Sequence, residues 1–197
     1  MYIIVSVLGL FIGSFLNVVI YRLPVKKSII LPSSHCPNCE TGLKYYDLIP
    51  VFSYIFNKGK CRYCGEKISL QYPIVELLTA LLFLLTFLKY GLNSVFIIYL
   101  LLISALIVVS FIDLQHQIIP NEITFSFIPF GLILSLIFSH VSLINSLLGL
   151  VIPAGLMLLI TLIYKKGMGI GDVKLIGMIG VFIGWKYALI SIFIGAL

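Results

Sequence analysis

The sequence predicts an all-α polytopic membrane protein, a bundle of about six to seven transmembrane helices with a small cytoplasmic zinc-binding loop domain. Three observations support this fold class. Hydrophobic residues make up 61% of the chain and its mean hydropathy is +1.18, whereas soluble domains are roughly 45 to 50% apolar. The apolar residues form long runs separated by short polar segments. All four cysteines lie in one long polar segment, as two CxxC pairs.

The charged residues predict the orientation in the membrane. Thirteen Lys and Arg residues outnumber seven Asp and Glu residues, for a net charge of +6. Because most of the basic residues lie between apolar runs, the positive-inside rule explains the excess, and we expect no nucleic-acid partner. The segment from Val25 to Tyr72 is rich in lysine and is therefore predicted to be cytoplasmic, which places the N-terminus outside. The first apolar run lacks the basic start of a cleavable signal peptide and is predicted to be retained.

We expect three regions: a first transmembrane helix at 1–20, a cytoplasmic zinc-binding loop at 21–73 and a transmembrane domain at 74–197. The predicted spans are Tyr2–Ile20, Ile74–Leu88, Val95–Ile112, Ile123–Phe138, Leu143–Tyr164 and Val173–Trp185. A final run, Tyr187–Leu197, is only about half the length that a crossing needs. Either the last helix is short or the chain is truncated at its C-terminal end.

Gly9, Gly13 and Asn17 recur every four residues in the first run, which places them on one face of the predicted helix. Small residues at this spacing let two helices approach closely, and an asparagine can hydrogen-bond across the interface. We expect helix packing here, with contact to a substrate or cofactor as the alternative.

Two aspartates are predicted at the same membrane face. Asp113 ends the third span and Asp172 begins the sixth, because the two spans between them cross out and back. Ionisable side chains at membrane depth are costly and point to function. When two carboxyl groups share a site, the charged one can take a proton from an attacking water while the protonated one donates to the carbonyl oxygen. Paired aspartates therefore predict peptide hydrolysis.

The residues around Asp172 predict an active-site loop. Gly169 and Gly171 suit positions where the backbone must come close to another chain or adopt positive φ. Lys174 either stabilises the charged form of Asp172 or is simply a positive-inside residue. A lone aspartate at a helix start is more often a cap, but the second aspartate and the glycines favour a site.

The four cysteines predict a structural zinc site. The pairs Cys36–Cys39 and Cys61–Cys64 are separated by 21 residues, a spacing typical of four-thiolate zinc sites. Because the cytoplasm is reducing, disulfides are disfavoured there; a redox role is the other alternative. Gly65, directly after the second pair, suits the tight turn that such a site needs.

Taken in order, these motifs resemble those of the prepilin peptidase, or type IV leader peptidase, family of GxGD intramembrane aspartyl proteases. The matching stretches are Gly13–Pro24, the double CxxC with Tyr46–Pro50 between the pairs, Tyr72–Ala80, Asp113 followed by Ile119–Asn121, and Gly169–Leu175. The resemblance covers nearly the whole chain, although family members usually continue through one or two further spans.

The resemblance implies an aspartic endopeptidase of the bacterial inner membrane that cleaves the basic leader of prepilins and pseudopilins, just after a glycine, on the cytoplasmic side. It implies that Asp113 and Asp172 are the catalytic pair and that 74–197 is the peptidase domain. Many members with the cysteine loop also N-methylate the new N-terminus with S-adenosylmethionine, and the resemblance implies this second activity here. Glu76 and the loop around Tyr46 and Asp47 are our candidates for contact with this methyl donor.

Two other functions are compatible with the composition. An ion- or proton-coupled transporter could use the same buried aspartates, although a carrier site lies nearer the bilayer midplane than these residues are predicted to lie. Alternatively, the zinc loop could be a docking platform that the helices merely anchor.

Overall fold

The structure is a computed structural model that describes residues 1–163 and 169–195. Its elements are helical. They are α1 (Tyr2–Arg22), a 3-10 turn (Tyr45–Leu48), α2 (Phe52–Phe56), α3 (Gln71–Tyr90), α4 (Ser94–His116), α5 (Asn121–Phe138), α6 (Leu143–Ile163), α7 (Ile170–Ile183) and α8 (Trp185–Gly195). The long polar segment between α1 and α3 carries the 3-10 turn, α2 and all four cysteines.

Among the described residues, five helices, α1 and α3 to α6, are long and apolar enough to cross a membrane. The apolar helices α7 and α8 have 14 and 11 residues. At about 1.5 Å per residue they are roughly 21 and 17 Å long, shorter than a hydrocarbon core of about 30 Å. The predicted fold class, an all-α polytopic membrane protein with a cysteine-bearing loop, is confirmed.

The helix boundaries lie within a few residues of the predicted spans. The largest difference is at α4, which continues four residues past Ile112, so that Asp113 lies in its last turn. The helix ends where Gln117 turns into the left-handed region, at φ +54°, and donates its amide to the Asp113 carbonyl. Tyr164, the predicted end of the fifth span, and the basic pair Lys165–Lys166 lie outside the described residues.

The chain forms two compact units. The first consists of Met1–Leu92 and Ile103–Ile112, and the second of Asn93–Leu102 and Asp113–Leu197. In the first unit α1 packs against α3. A Cβ on Gly9 would lie 2.5 Å from the Cα of Ala80, and one on Gly13 would lie 2.7 Å from the Cα of Glu76. The packing role predicted for these two glycines is therefore confirmed.

Asn17 strengthens the same helix pair. It is buried, and its side-chain amide donates to the carbonyl oxygens of Gly13 and Tyr72, the latter at 3.1 Å. The second of these bonds joins α1 to the first turn of α3. Asn17 thus makes the interhelical hydrogen bond that its position predicts.

In the second unit α7 packs against α5 and α6, and α8 packs against α6 and α7. The closest approach joins Gly149 of α6 to Gly180 of α7, where a Cβ on either glycine would overlap the carbonyl group of the other. On the other side of α7, the ring of Phe182 lies 6.2 Å from that of Phe127 in α5. These contacts hold the C-terminal half of α7 against α5 and α6.

Candidate active site and metal centre

Asp172 occupies the third position of α7. Its Oδ2 accepts a 3.0 Å hydrogen bond from the amide of Gly169, the residue that caps the helix. The side chain remains partly exposed. Asp172 therefore does cap its own helix, as a lone aspartate would, and this leaves its other carboxylate oxygen available for chemistry.

Asp113 lies in the last turn of α4 with its side chain exposed. The segment that follows it leads through Ile119 and Pro120 into α5. Within 1–163 and 169–195, no hydrogen bond or ion pair joins Asp113 to Asp172. The two aspartates belong to the same compact unit. The distance between them therefore depends on contacts between the start of α7 and the segment that follows Asp113.

Two contacts join the start of α7 to the segment that follows Asp113. A Cβ on Gly171 would lie 3.1 Å from the Cβ of Ile119, so a side chain at this position would crowd it. The Lys174 ammonium donates a 2.9 Å hydrogen bond to the Oδ1 of Asn121 and lies 5.1 Å from the ring centroid of Phe125. Lys174 thus ties two helices together, and it forms no ion pair with Asp172 in the described part of the chain.

The two glycines of the motif differ in what the fold requires of them. Gly171 needs to lack a side chain because Ile119 lies against it, as the sequence predicts. Gly169 has φ −93° and ψ 157°, which any residue can adopt. A Cβ on Gly169 would make only ordinary contacts of 3.7 and 3.8 Å. Within the described residues, neither a positive φ nor a close neighbour accounts for a glycine at 169, so the expected approach of another chain to Gly169 stays a prediction.

The four cysteines form one cluster. The Sγ atoms of Cys36, Cys39, Cys61 and Cys64 all lie within 4.8 Å of one another, and the Cys36–Cys64 pair is 3.9 Å apart. Thiolates bound tetrahedrally to zinc at about 2.3 Å are about 3.8 Å from one another. The arrangement fits the predicted zinc site, and the structure contains no disulfide among the four.

Two similar turns present these sulfurs. We call residues 35–42 the first cysteine turn and residues 60–67 the second cysteine turn. In each turn, the carbonyl oxygen of the first cysteine accepts a hydrogen bond from the amide of the residue four positions later. The amide of the same cysteine donates to the carbonyl oxygen of the residue five positions later. The bonds are Glu40 N to Cys36 O, Cys36 N to Thr41 O, Gly65 N to Cys61 O, and Cys61 N to Glu66 O.

Each cysteine turn needs a residue in the left-handed region directly after its second cysteine. Gly65 fills this position in the second turn at φ +75°, as predicted. Glu40 fills it in the first turn at φ +54°, where a residue with a side chain is less favourable. The matching backbone geometry shows that the two turns are built for the same task.

The thiols differ in how readily they ionise. Contacts from the Thr41 side chain and amide lower the pKa of Cys39 to about 6. At Cys36 the Cys39 amide favours the thiolate, but burial and the neighbouring Cys61 and Cys39 sulfurs outweigh it and raise the pKa to about 11. Four thiolates in this space repel one another, and a divalent cation removes that penalty. The geometry of the donor set thus fits zinc.

Asp47 connects the 3-10 turn to the second cysteine turn. Its Oδ1 lies 3.1 Å from the Nε of Arg62, and its Oδ2 accepts from the Tyr63 hydroxyl at 2.9 Å. The Arg62 guanidinium also stacks 4.6 Å from the ring centroid of Tyr46. Sequence reasoning missed the contacts of Arg62 and Tyr63 with Asp47; the position of these residues between Cys61 and Cys64 was the available indication.

Glu76 lies buried in α3, and its Oε2 accepts a 2.7 Å hydrogen bond from the amide of Val51. Val51 has φ +61°, which is rare for a β-branched residue. The structure thus places Glu76, our candidate for contact with the methyl donor, where it fastens the loop to α3.

Comparison with known proteins agrees with this arrangement. Residues 7–90 match the family model of the bacterial peptidase A24 N-terminal domain, and residues 100–197 match that of the type IV leader peptidase family. The chain is 36% identical to a prepilin leader peptidase/N-methyltransferase of Neisseria gonorrhoeae, over 98% of this chain and 77% of the relative. It is 38% identical to one of Bacillus subtilis, over 98% of this chain and 80% of the relative.

A third relative, a type 4 prepilin-like proteins leader peptide-processing enzyme of Escherichia coli, is 36% identical over 92% of this chain and 77% of its own length. No solved structure matches the chain. The family resemblance inferred from the motifs is thereby confirmed. Two family models that together cover most of the chain, with relatives matched over about three quarters of their length, establish that it belongs to the type IV leader peptidase family.

Proposed function

We propose that the chain cleaves the basic leader from type IV prepilins and pseudopilins at the cytoplasmic face of the bacterial inner membrane, with Asp113 and Asp172 as its catalytic pair. One observation carries the assignment of the pair. The start of α7 packs on the segment after Asp113 through the contact of Gly171 with Ile119. Membership of the leader peptidase family supports the reaction, and the comparisons offer no support for a transporter.

The proposed chemistry uses one charged and one protonated aspartate. The charged carboxylate takes a proton from a water molecule as its oxygen bonds to the scissile carbonyl carbon. The protonated carboxyl group stabilises the developing oxyanion by donating to it. When the tetrahedral intermediate collapses, the C–N bond breaks and the first aspartate returns its proton to the leaving amine.

Gly169 suits a position where substrate approaches. An extended substrate segment must come close to the carboxylate that attacks through water, and a side chain beside Asp172 would obstruct it. Among the described residues, a Cβ at 169 would meet only ordinary contacts, so close approach of another chain remains as a reason for a glycine there. We therefore place the substrate backbone against Gly169, with Gly171 and Lys174 holding the loop to α5.

We further propose that the chain N-methylates the new N-terminal amine, for which S-adenosylmethionine would supply an electrophilic methyl group. The four cysteines would hold a structural zinc ion that shapes the cytoplasmic loop. Glu76, Tyr46 and Asp47 stay our candidates for residues near the methyl donor. Each already has a partner within the loop or α3, so they would act by shaping the binding surface.

The direct test mixes the purified chain in lipid nanodiscs with a prepilin, with and without S-adenosylmethionine, and measures the product mass. A shorter product supports cleavage, and one further methyl group supports methyl transfer. We expect Asp113→Asn and Asp172→Asn to abolish cleavage while the chain stays folded and binds zinc. Glu122→Gln, which changes an exposed carboxylate in the first turn of α5, is the matched control and should cleave normally.

Substantial residual cleavage in either aspartate variant would refute the catalytic pair. An unchanged prepilin mass with the unmodified chain would refute the peptidase itself. In that case proton uptake by liposomes containing the chain would be measured, because the transporter alternative uses the same carboxylates.

A further inference from the structure

The short helix α2 has its apolar face exposed. Phe52, Ile55 and Phe56 occupy positions i, i+3 and i+4, which lie on one face of a helix. These side chains are 56%, 63% and 79% exposed. The opposite side faces the loop, where the Tyr54 hydroxyl lies close to Gly59. In an aqueous environment we would expect the apolar face of such a helix to pack against the protein and the opposite, more polar face to be exposed to solvent.

The position of α2 along the membrane normal follows from its attachment to α3. Val51, the residue directly before α2, donates its amide to Glu76. Glu76 lies five residues into α3, about 7.5 Å from the start of that helix. The 20 residues of α3 span about 30 Å, the thickness of the hydrocarbon core. The start of α2 is therefore held within about 7.5 Å of the membrane boundary on the loop side.

A second exposed apolar segment is attached in a similar way. Arg22, the last residue of α1, is buried and donates from its guanidinium to the carbonyl oxygens of Ser28 and Ser33. Between these two serines, Ile30 and Leu31 are both largely exposed. The loop thus exposes apolar side chains in two segments. The backbone of each segment is hydrogen-bonded to a side chain near the loop-side end of a membrane helix.

The charge of the loop is opposite to that of anionic lipid headgroups. Lys58 and Lys60 follow α2 directly, and both are exposed. Residues 25–70 contain seven basic residues, Lys26, Lys27, Lys44, Lys58, Lys60, Arg62 and Lys67, against three acidic ones, Glu40, Asp47 and Glu66. An apolar helix face flanked by lysines is typical of elements that lie in the membrane interface.

We propose that α2 lies in the interface of the loop-side leaflet, with Phe52, Ile55 and Phe56 at the boundary of the acyl chains and Lys58 and Lys60 among anionic headgroups. The same contact holds both cysteine turns at the membrane surface. This inference rests on the attachment to α3, the exposed apolar face and the charge of the loop. It does not depend on the proposed leader cleavage.

The test measures the depth of single tryptophans in the full-length chain. Trp185 is the only tryptophan, so Phe56→Trp and Phe52→Trp are made in a Trp185→Phe background. Glu66→Trp, in the exposed part of the second cysteine turn, is the matched control. The variants are reconstituted in liposomes of phosphatidylcholine and phosphatidylglycerol that carry bromine near the top of the acyl chain. Bromolipid and aqueous iodide serve as the two quenchers.

We expect bromolipid to reduce the emission of the two α2 variants about twofold or more, with little quenching by iodide, because interfacial helices bury their apolar face roughly 5–10 Å deep. The Glu66→Trp control should show the opposite pattern. Iodide quenching of Phe56→Trp equal to that of the control would overturn the proposal. Shielding that appears only when a prepilin is added would also overturn it, because the surface would then belong to a protein partner.

A second measurement needs no substitution and covers the case in which the Trp185→Phe background fails to fold. The unmodified chain is irradiated in liposomes that contain a phospholipid with a photoreactive group at the top of its acyl chain, and labelled peptides are identified by mass spectrometry. Label on residues 52–56 and none on residues 36–42 is the expected result. The absence of label from 52–56, while α3 is labelled, would overturn the proposal.

Discussion

The Lys174 ammonium donates a 2.9 Å hydrogen bond to the Oδ1 of Asn121 and thereby joins the first turns of α7 and α5. Asp172 lies two residues before Lys174, and Asn121 begins the helix that follows the Asp113 segment. This hydrogen bond is therefore part of what sets the distance between the two proposed catalytic aspartates.

We predict that Lys174→Met and Asn121→Ala each lower kcat for leader cleavage about tenfold, equivalent to about 1.4 kcal/mol. The double variant should be no slower than either single variant, because both remove the same bond. Initial rates with a purified prepilin provide the measurement. Lys89→Met, in the last turn of α3, is the control for loss of a lysine at a helix end. Multiplicative losses in the double variant would contradict a shared role.

Substitution of Gly169 and Gly171 should distinguish a loss of substrate binding from a loss of stability. Gly171→Ala places a methyl group about 3.1 Å from Ile119, so it should destabilise the chain by roughly 1–3 kcal/mol and also slow cleavage. Gly169→Ala should leave the melting temperature unchanged and raise KM for prepilin. Thermal unfolding in detergent and steady-state kinetics measure the two effects. A loss of stability in Gly169→Ala with normal KM would reverse our assignment.

The contact between α6 and α7 should be the least tolerant packing position of the second unit. Gly180→Ala forces two helix backbones apart, so we expect a loss of about 3 kcal/mol or more in unfolding free energy. Gly155→Ala, in α6 with no atom within 4 Å of the added methyl group, is the matched control and should change stability by less than about 1 kcal/mol. Equal melting temperatures would show that the helices separate without cost.

Removal of zinc should affect methyl transfer before cleavage. The chain should bind one zinc ion, and Cys64→Ser or a strong chelator should release it, because all four thiolates contribute. The aspartates belong to the other compact unit, so cleavage should persist when the loop loses its metal. Metal content and product mass are measured on the same sample, with zinc added back as the control. Unchanged methylation in a zinc-free chain would contradict this order.

Substitution of Glu76 should distinguish attachment of the loop from contact with the methyl donor. Glu76→Ala leaves the amide of Val51 without its acceptor, so trypsin should cut at Lys58 faster while zinc stays bound. Glu76→Gln keeps an acceptor oxygen and should show intermediate protection. If Glu76 instead contacts S-adenosylmethionine, the glutamine variant will raise KM for that donor with the loop fully protected.

The membrane helices were predictable because long apolar runs are bounded by proline, glycine and charged residues. The residues Gly9, Gly13 and Asn17 revealed the packing of α1 from their spacing alone. The end of α4 was not predictable to the residue, since it depends on the left-handed conformation of Gln117, a residue with no strong preference for it. The contact of Lys174 with Asn121 was also missed, because these residues are 53 positions apart and periodicity relates only near neighbours.

The similarity of the two cysteine turns bears on how the loop is made during synthesis. Each turn closes its backbone hydrogen bonds within ten residues, 34–43 in one case and 59–68 in the other, so neither needs the other to take shape. The ribosome synthesises the first turn before the second, so the thiol groups of Cys36 and Cys39 are present before those of Cys61 and Cys64. A zinc ion bound by both turns would close the intervening chain into a ring and would reduce the conformational freedom of its unfolded state. Helix α3, whose Glu76 accepts the hydrogen bond from Val51 of the loop, follows the second turn in the chain and is therefore synthesised after both turns.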